Sequence, residues 1–325
     1  MKPAAKILKM LRDSEAGVGG SELCEKVGMS RAAIWAHMET LRQSGFEIIA
    51  SPHRGYKLIK SPDSLLAEDL QSRLSTGSTI GRNIIVLDST TSTNDEMDCK
   101  ARDAEAEGSV IFAETQTGGR GRMGRKWSSP KKKGLWLSVL LRPPLVADEC
   151  TQITIAAAVA LVTSLKKING VKPEIKWPND ILVNGKKISG ILTEMSSEPD
   201  HVKYVIVGIG VNVNQSPDDI PESIRSIATS LKIVSGKIVD RSQLATDILH
   251  ELDNCYKKVV AGEFGEIGET WSSYCRTLGK RISIEIGSRK ITGCAEALDE
   301  TGALLVRTEH GRIERIIGGD INLEI

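Results

Sequence analysis

The chain has 325 residues, of which 40% are apolar and 26% charged, and its formal net charge is +1. This is the composition of an ordinary globular protein with room for two or three cores. The near-neutral balance excludes a global attraction to nucleic acid or membrane, and no apolar run approaches the ~20 residues of a membrane span. The opening stretch, MKPAAKILKMLRDSE, lacks the apolar core and cleavage site of a signal peptide. Cys24, Cys99, Cys150, Cys255, Cys275 and Cys294 are scattered without a C-x-x-C pair. That argues against a zinc site or a disulfide framework and for the reducing cytoplasm, with the thiols expected as small buried apolar residues.

Residues 1–60 are expected to be helical, then hairpin-like. KILKMLRD places Ile7, Leu8, Met10 and Leu11 on one helical face. SELCEKVGM reads as a short helix with Ser21 as its cap and Gly28 as its end. Ser30 caps RAAIWAHMETLRQSG, where Ala33, Ile34, Met38 and Leu41 form the buried stripe. Helix, short turn, helix is the helix-turn-helix pattern. FEIIASPHRGYKLI then alternates as two strands around Pro52-His53-Arg54-Gly55, like the wing of winged-helix domains. Ten Lys/Arg against six Asp/Glu over residues 1–60 give a local excess of +4. The candidate DNA contacts are Ser21, Ser30, Arg31, Ala32, Trp35, His37 and Arg42 on the helices, with His53 and Arg54 at the hairpin tip.

SPDSLLAEDLQSRLSTGSTIGRN reads as a linker and one short helix. Beyond it, NIIVLDS, SVIFAET, LWLSVLLRP and KYVIVGIGVNVN are strand-like, and EIKWPNDILVNGKKISGILTEM is expected to give two strands around Asn184-Gly185. TSTNDEMDCKARDAEA, ITIAAAVALVTSLKKI and SQLATDILHELDNCYKKVVA are helical. This interleaving predicts a mixed sheet with helices on one side. After residue 276, RISIEI, KITGCAEAL, LLVRTE, RIERII and INLEI are separated by Gly287, Gly302, Gly311 and Gly318-Gly319, as in a small barrel or sandwich. The expected fold is α+β in three units, 1–62, 63–274 and 275–325.

One loop, QTGGRGRMGRKWS at 116–128, carries the chemistry. Gly119, Gly121 and Gly124 spell G-x-G-x-x-G, but Pro130 and Gly134 sit where a dinucleotide-binding helix would run, and no acidic residue follows at the required distance. Gly124-Arg125-Lys126-Trp127 lacks the hydroxyl that a Walker A loop needs for its metal. What remains is a cationic loop between strands. Residues 118–133 contain Arg120, Arg122, Arg125, Lys126, Lys131, Lys132 and Lys133 and no acid. Its glycines allow close approach and positive φ, its arginines grip phosphate or carboxylate, and Trp127 can cover an apolar or aromatic ligand. Ordering such a backbone costs roughly 1–2 kcal/mol per residue, so the loop is expected to order around its ligand.

Ser92-Thr93-Asn94, ETQTGGRGRMGRKW (114–127), KWPND (176–180), GKKISGIL (185–192) and VGIGVNVN (207–214) together resemble the biotin–protein ligases. With the helix-turn-helix, the chain is similar over essentially its whole length to their bifunctional type, ligase and biotin-operon repressor in one chain. That resemblance implies a class II synthetase-like catalytic sheet and an SH3-like C-terminal barrel. It implies formation of biotinyl-5′-AMP from biotin and ATP with Mg²⁺, and transfer of biotin to a lysine of a biotin carboxyl carrier protein. It also implies operator DNA as a partner and a homodimer when biotinyl-AMP is bound. By motif match, Ser92, Thr93, Asn94, Gln116, Gly119, Arg120, Gly121, Arg122, Lys187 and Gly190 would contact biotin or its activated carboxyl. Arg122, Arg125, Trp127 and Asn212 would lie on the nucleotide side, and Arg120, Lys187 and Asp180 would be catalytic, with no metal ligand assigned. Trp136 and Trp177 are expected in the core. The sequence departs from the family at Met123, at Lys131-Lys132-Lys133, and in 215–232, which offers adenine no aromatic residue. A non-catalytic biotin-sensing repressor and a lipoate–protein ligase remain as alternatives.

Overall fold

The computed structural model describes residues 1–51, 54–198, 200–286 and 289–323; Pro52, His53 and Gly287, singled out above, lie outside them. The N-terminal unit consists of α1 (Pro3–Arg12), α2 (Gly20–Val27) and α3 (Arg31–Gln43), followed by β1 (Glu47–Ser51) paired antiparallel with β2 (Gly55–Lys60). Ile7, Leu8, Leu11, Leu23, Ile34, Met38 and Leu41 close its core, with Phe46 and Ile48. Gly28 ends α2 at φ 80°, a left-handed position that glycine takes without strain. Ser30 caps α3 by accepting the Ala33 N–H at 3.3 Å. Ser21 is not a cap: α2 begins at Gly20, and the Ser21 hydroxyl accepts from Arg31 at 3.0 Å.

The linker carries α4 (Ala67–Arg73). Then follow β3 (Ile84–Leu87), α5 (Thr93–Arg102), β4 (Val110–Ala113), β5 (Gly134–Leu141), α6 (Thr151–Leu165), β6 (Pro173–Lys176), β7 (Asp180–Val183), β8 (Lys186–Ser197), β9 (Val202–Asn212), α7 (Leu231–Ser235), α8 (Arg241–Val260) and α9 (Phe264–Tyr274). The strands form a seven-stranded mixed sheet in the order β3-β4-β5-β9-β8-β7-β6. The segment expected as two strands around Asn184-Gly185 is three, because Trp177-Pro178-Asn179 interrupts it between β6 and β7. A proline cannot donate to the ladder, so a break there is its natural place.

Helices cover both faces rather than one. The alternation along β9 explains it: Val205, Val207, Ile209 and Val211 enter the main core with α6, α8 and α9, whereas Tyr204 and Ile206 pack with Met97 and Ala101 of α5 on the opposite face. β10 (Arg281–Ile286), β11 (Arg289–Leu298), β12 (Leu304–Thr308), β13 (Ile313–Ile316) and β14 (Asp320–Leu323) form a five-stranded antiparallel sheet in the order β13-β12-β11-β10-β14. Among the described residues no pairing joins β13 to β14. The six cysteines are free; contrary to the expectation of buried thiols, only Cys150 is buried, and Cys99 and Cys294 are exposed. No helix among the described residues is long and apolar enough to cross a membrane.

Two polar latches hold the linker. Asp69 of α4, buried, is shared by Arg12 of α1 and Arg73, the latter at 3.3 Å. Arg241, 1% exposed at the start of α8, donates to Glu114 at 2.6 Å, to the Gly134 carbonyl at 3.3 Å and to the Asp63 carbonyl. Glu114 in turn accepts the Leu65 N–H at 2.8 Å. Breaking a buried pair leaves an uncompensated charge, typically at about 3–5 kcal/mol. Arg241→Ala is therefore expected to lower the melting temperature by roughly 10 °C in a thermal unfolding scan; a drop under about 2 °C would show that the fold does not need this pair.

Candidate active site

The bare part of the central sheet makes the site. On the face of β9 that meets α5, the next even positions after Ile206 are Gly208, Gly210 and Asn212. Gly210 pairs with Gly190 of β8 and with Trp136 of β5, while Gly208 pairs with Leu192 and Ser138. Trp127 of the arginine-glycine loop lies over this floor. A Cβ at Gly210 would sit 2.6 Å from the indole, one at Gly190 3.1 Å from it, and one at Gly208 2.3 Å from Asn94 Oδ1. A side chain at Gly208 or Gly210 would displace Asn94 or the indole, and one at Gly190 would press on the indole by a few tenths of an ångström.

Above the floor is a cavity of about 480 Å³, lined among others by Ser92, Thr93, Asn94, Gln116, Arg120, Gly121, Arg122, Arg125, Trp127, Asp180, Lys187, Gly190 and Asn212. The structure thus collects the sequence-predicted ligand residues from five separate motifs around one space. Gly119 alone stays outside the lining. Its role is steric, since a Cβ there would lie 2.5 Å from the Trp127 carbonyl. Of the loop glycines only Gly124 adopts positive φ, at 71°, and it follows Met123 at 54°. The loop closes on itself: Gly121 N–H donates to Arg125 at 2.7 Å and Trp127 N–H to Gly119 at 2.8 Å.

The loop's cations meet acids from elsewhere. Arg120 forks onto Glu194 at 2.9 and 3.2 Å and also bonds Asp95. Burial works against its charge, but Glu194 and Asp95 outweigh it and hold the guanidinium above its ordinary value. Lys187 Nζ lies 2.6 Å from Asp180 and 5.3 Å from the centre of a Trp127 ring, a cation–π contact. Arg122 reaches Asn179 at 3.4 Å and the Gly319 carbonyl at 3.5 Å, so it joins the loop to the C-terminal sheet. Lys131 and Lys133 pair with Asp88 and Asp219 at 2.7 and 3.1 Å. Asp219 is held low, at about 2, by hydrogen bonds from the Ser216 hydroxyl and N–H.

Ser92 sits at the N-cap of α5 without making a side-chain cap bond. Thr93 donates through N and Oγ1 to Gln116 at 2.8 and 3.2 Å. Asn212 is occupied structurally: it donates to the Thr229 carbonyl at 3.0 Å and accepts from Gln215 at 2.9 Å. It thereby anchors the 215–232 segment, whose backbone also pairs with Lys187 through Ile227 at 2.8 Å and Thr229 at 2.9 Å. The missing aromatic is answered by aliphatics: Ile220, Pro221, Ile224, Ile227 and Ala228 line that end of the cavity. Trp136 and Trp177 are buried, as expected, and Trp136 meets Trp127 edge-on at 6.4 Å. Sequence reasoning missed Gly208, Gly210, Ser138 and Glu194; the alternate glycines of VGIGVN were the available signal for the first two. Among the described residues no group of three or more His, Cys, Asp or Glu is placed to hold a metal.

On the N-terminal unit, Arg31, Ala32 and Arg54 are exposed, and Trp35 is 58% exposed on α3. Arg42, expected to face phosphate, donates to the Ile48 carbonyl at 3.0 Å and pairs with Glu39.

The geometry makes the loop depend on the glycine floor. Gly210→Ala is expected to lift Trp127 and to make the peptide bonds after Arg120, Arg122, Arg125 and Lys126 several-fold more sensitive to trypsin. Cleavage at the wild-type rate would show that the indole does not seat the loop.

Residues 84–212 match the biotin/lipoate A/B protein ligase family, residues 4–57 an HTH domain and residues 277–323 the biotin protein ligase C terminal domain. The chain is 39% identical over 313 residues to the bifunctional ligase/repressor BirA of Bacillus subtilis, covering 95% of this chain and 96% of that one. It is 29% identical over 318 residues to the Escherichia coli protein of the same name, covering 98% and 96%. The biotin protein ligase of Aquifex aeolicus, solved in complex with biotin and ATP, is similar with a TM-score of 0.64 and 34% identity, covering 75% of this chain and 99% of that one. The cavity lined by the motif residues, the helix-turn-helix and these likenesses over almost the full length agree, and the chain belongs to the biotin protein ligase family, in its bifunctional ligase/repressor branch.

Proposed function

We propose that this protein is an ATP-dependent biotin–protein ligase that also acts as a biotin-operon repressor. The observation that carries the reading is the convergence of Arg120, Arg122, Lys187 and Trp127 on one glycine-floored cavity. The first step joins two anions: the biotin carboxylate attacks the α-phosphate of ATP, and pyrophosphate leaves. Arg120 and Lys187 screen that repulsion, and Asp180 orients the Lys187 ammonium. The adenylate then loses its biotinyl group to a lysine amine of a biotin carboxyl carrier protein, with AMP as leaving group. Aminolysis of a mixed anhydride needs positioning rather than an enzyme nucleophile, and effective molarities on the order of 10⁵ M are available from it.

Biotin lies against Ser92, Thr93, Asn94, Gln116, Gly121 and Gly190, with Gly119, outside the lining, shaping the wall from behind. The nucleotide lies toward Arg122, Arg125, Trp127 and Asn212, with adenine against the aliphatic wall of Ile220 and Ile224. Mg²⁺ brought with ATP would offset the charge of its phosphates; Asp180, the cavity carboxylate paired with Lys187, would lie on that side. The chain works as three units, 1–62, 63–274 and 275–325, the last a small SH3-like barrel, in the cytoplasm, where six unpaired thiols are stable. Bound biotinyl-AMP promotes a homodimer whose two helix-turn-helix units, through Ser30, Arg31, Ala32, Trp35, His37 and Arg54, reach half-sites ~34–36 Å apart.

Biotin-dependent exchange of labelled pyrophosphate into ATP tests the enzyme. Exchange is expected in the wild type and to fall at least 100-fold in Lys187→Ala. No exchange with biotin still bound would leave a sensing repressor, and exchange driven better by lipoate would leave a lipoate ligase. For the repressor half, an electrophoretic shift of the chain's own promoter DNA is expected only with biotinyl-AMP present; its absence under all conditions would give the N-terminal unit another task.

A further inference from the structure

A hydrogen-bonded relay runs behind the cavity and joins its two walls. It starts at Arg120, whose Nη1 and Nη2 fork onto Glu194 at 2.9 and 3.2 Å. Glu194 Oε2 also accepts Asn94 Nδ2 at 2.6 Å. The Ser138 hydroxyl stands 2.6 Å from Asn94 Oδ1 and 2.8 Å from Thr93 Oγ1. Thr93 donates to Gln116 Oε1 at 2.8 and 3.2 Å, and Gln116 Nε2 ends the relay on Ser129 at 2.9 Å. Arg120, Asn94, Thr93 and Gln116 line the cavity; Glu194 and Ser138 do not. The sheet register explains why the two sit together. Ser138 pairs with Gly208 and Glu194 with Ile206, so both project from the bare face, next to the space that Gly208 leaves for Asn94.

We propose that Glu194 is the positioning residue of the biotin site: it fixes the Arg120 fork from behind and, through Asn94, Ser138 and Thr93, sets that arginine in register with Gln116 on the opposite wall. The inference rests on the ligase reading. Its physical basis is geometric. The Arg120, Glu194 and Asp95 side chains are 42%, 37% and 50% exposed, and surface ion pairs contribute little to stability. What the paired carboxylate supplies is a fixed orientation of a planar fork, the property on which bidentate recognition of another carboxylate depends. The same contacts allow an opposite role, which the test separates. If Glu194 merely competed with biotin for Arg120, neutralising it would free the guanidinium and tighten biotin binding. The two roles predict opposite signs.

Biotin affinity by titration calorimetry and biotin-dependent pyrophosphate exchange decide between them, on the full chain. Glu194→Gln is expected to weaken biotin binding roughly tenfold or more, with the KM for ATP and the melting temperature unmoved. Glu194→Asp keeps the charge but withdraws the fork, and should weaken it as well. Ser138→Ala should weaken it several-fold without changing any group that lines the cavity. On an Arg120→Ala background, Glu194→Gln should add less than a factor of two, because its effect passes through the arginine. Unchanged or tighter biotin binding by Glu194→Gln, or an undiminished loss on the Arg120→Ala background, overturns the proposal. A wild type that binds biotin but does not exchange pyrophosphate would overturn the ligase reading and leave the positioning role intact. A wild type that binds no biotin would overturn both.

Discussion

The site depends on a steric constraint: one face of the central sheet must stay unclothed for the length of three residues on two strands. Gly190, Gly208 and Gly210 meet that constraint in register, and each has a defined occupant, Trp127 over the first and third and Asn94 over the second. Strand interiors ordinarily disfavour glycine because it packs nothing. Here the missing side chains are replaced by an indole from a distant loop. That replacement brings the loop's arginines over the cavity and brings the start of α5 down to its edge. Beyond the glycines, Tyr204 and Ile206 on the same face pack beneath α5. One strand face therefore supports a helix at one end and a ligand space at the other.

Electrostatics follow the same economy. Viewed alone, the loop is a run of cations without an acid; folded, Arg120, Lys131 and Lys133 of that run have carboxylate partners from α5, β8, the β3–α5 loop and the segment after β9. Lys187 is likewise paired, with Asp180. Such pairing keeps like charges apart and fixes orientations in advance, the property that preorganised catalysis requires.

Much of this was legible in the sequence, and the limits are physical. Helix-turn-helix spacing, the Ser30 cap, the five C-terminal strands and thirteen of the fourteen predicted ligand and catalytic residues around the cavity are local patterns or motifs that short-range chemistry enforces. The single omission, Gly119, is one residue away and acts through backbone contact. What the sequence did not reveal is pairing over long distances. Arg42 carries the charge of a phosphate ligand yet is bound to Ile48; Glu194 has no motif of its own, and its partners lie 74 and 100 positions away. The placement of α5 on the second face likewise depends on which alternate residues of β9 the other helices cover. The aliphatic end of the cavity was invisible for another reason: isoleucines in a loop carry no signature until the fold gathers them.

The Arg241 latch bears on how this chain can be divided. The N-terminal unit has its own apolar core, which suggests a movable module. Yet the Asp63 carbonyl and the Leu65 N–H belong to the charge cluster of Glu114, two residues from Gln116, and Asp69 is shared with Arg12. A graft that exchanges the helix-turn-helix for another must therefore leave residues 63–73 with the catalytic part. The recipient helix must also supply a cation where Arg12 stands. Joined elsewhere, the hybrid would expose a buried acid on one side of the seam and strand an arginine on the other, however well each half folds by itself.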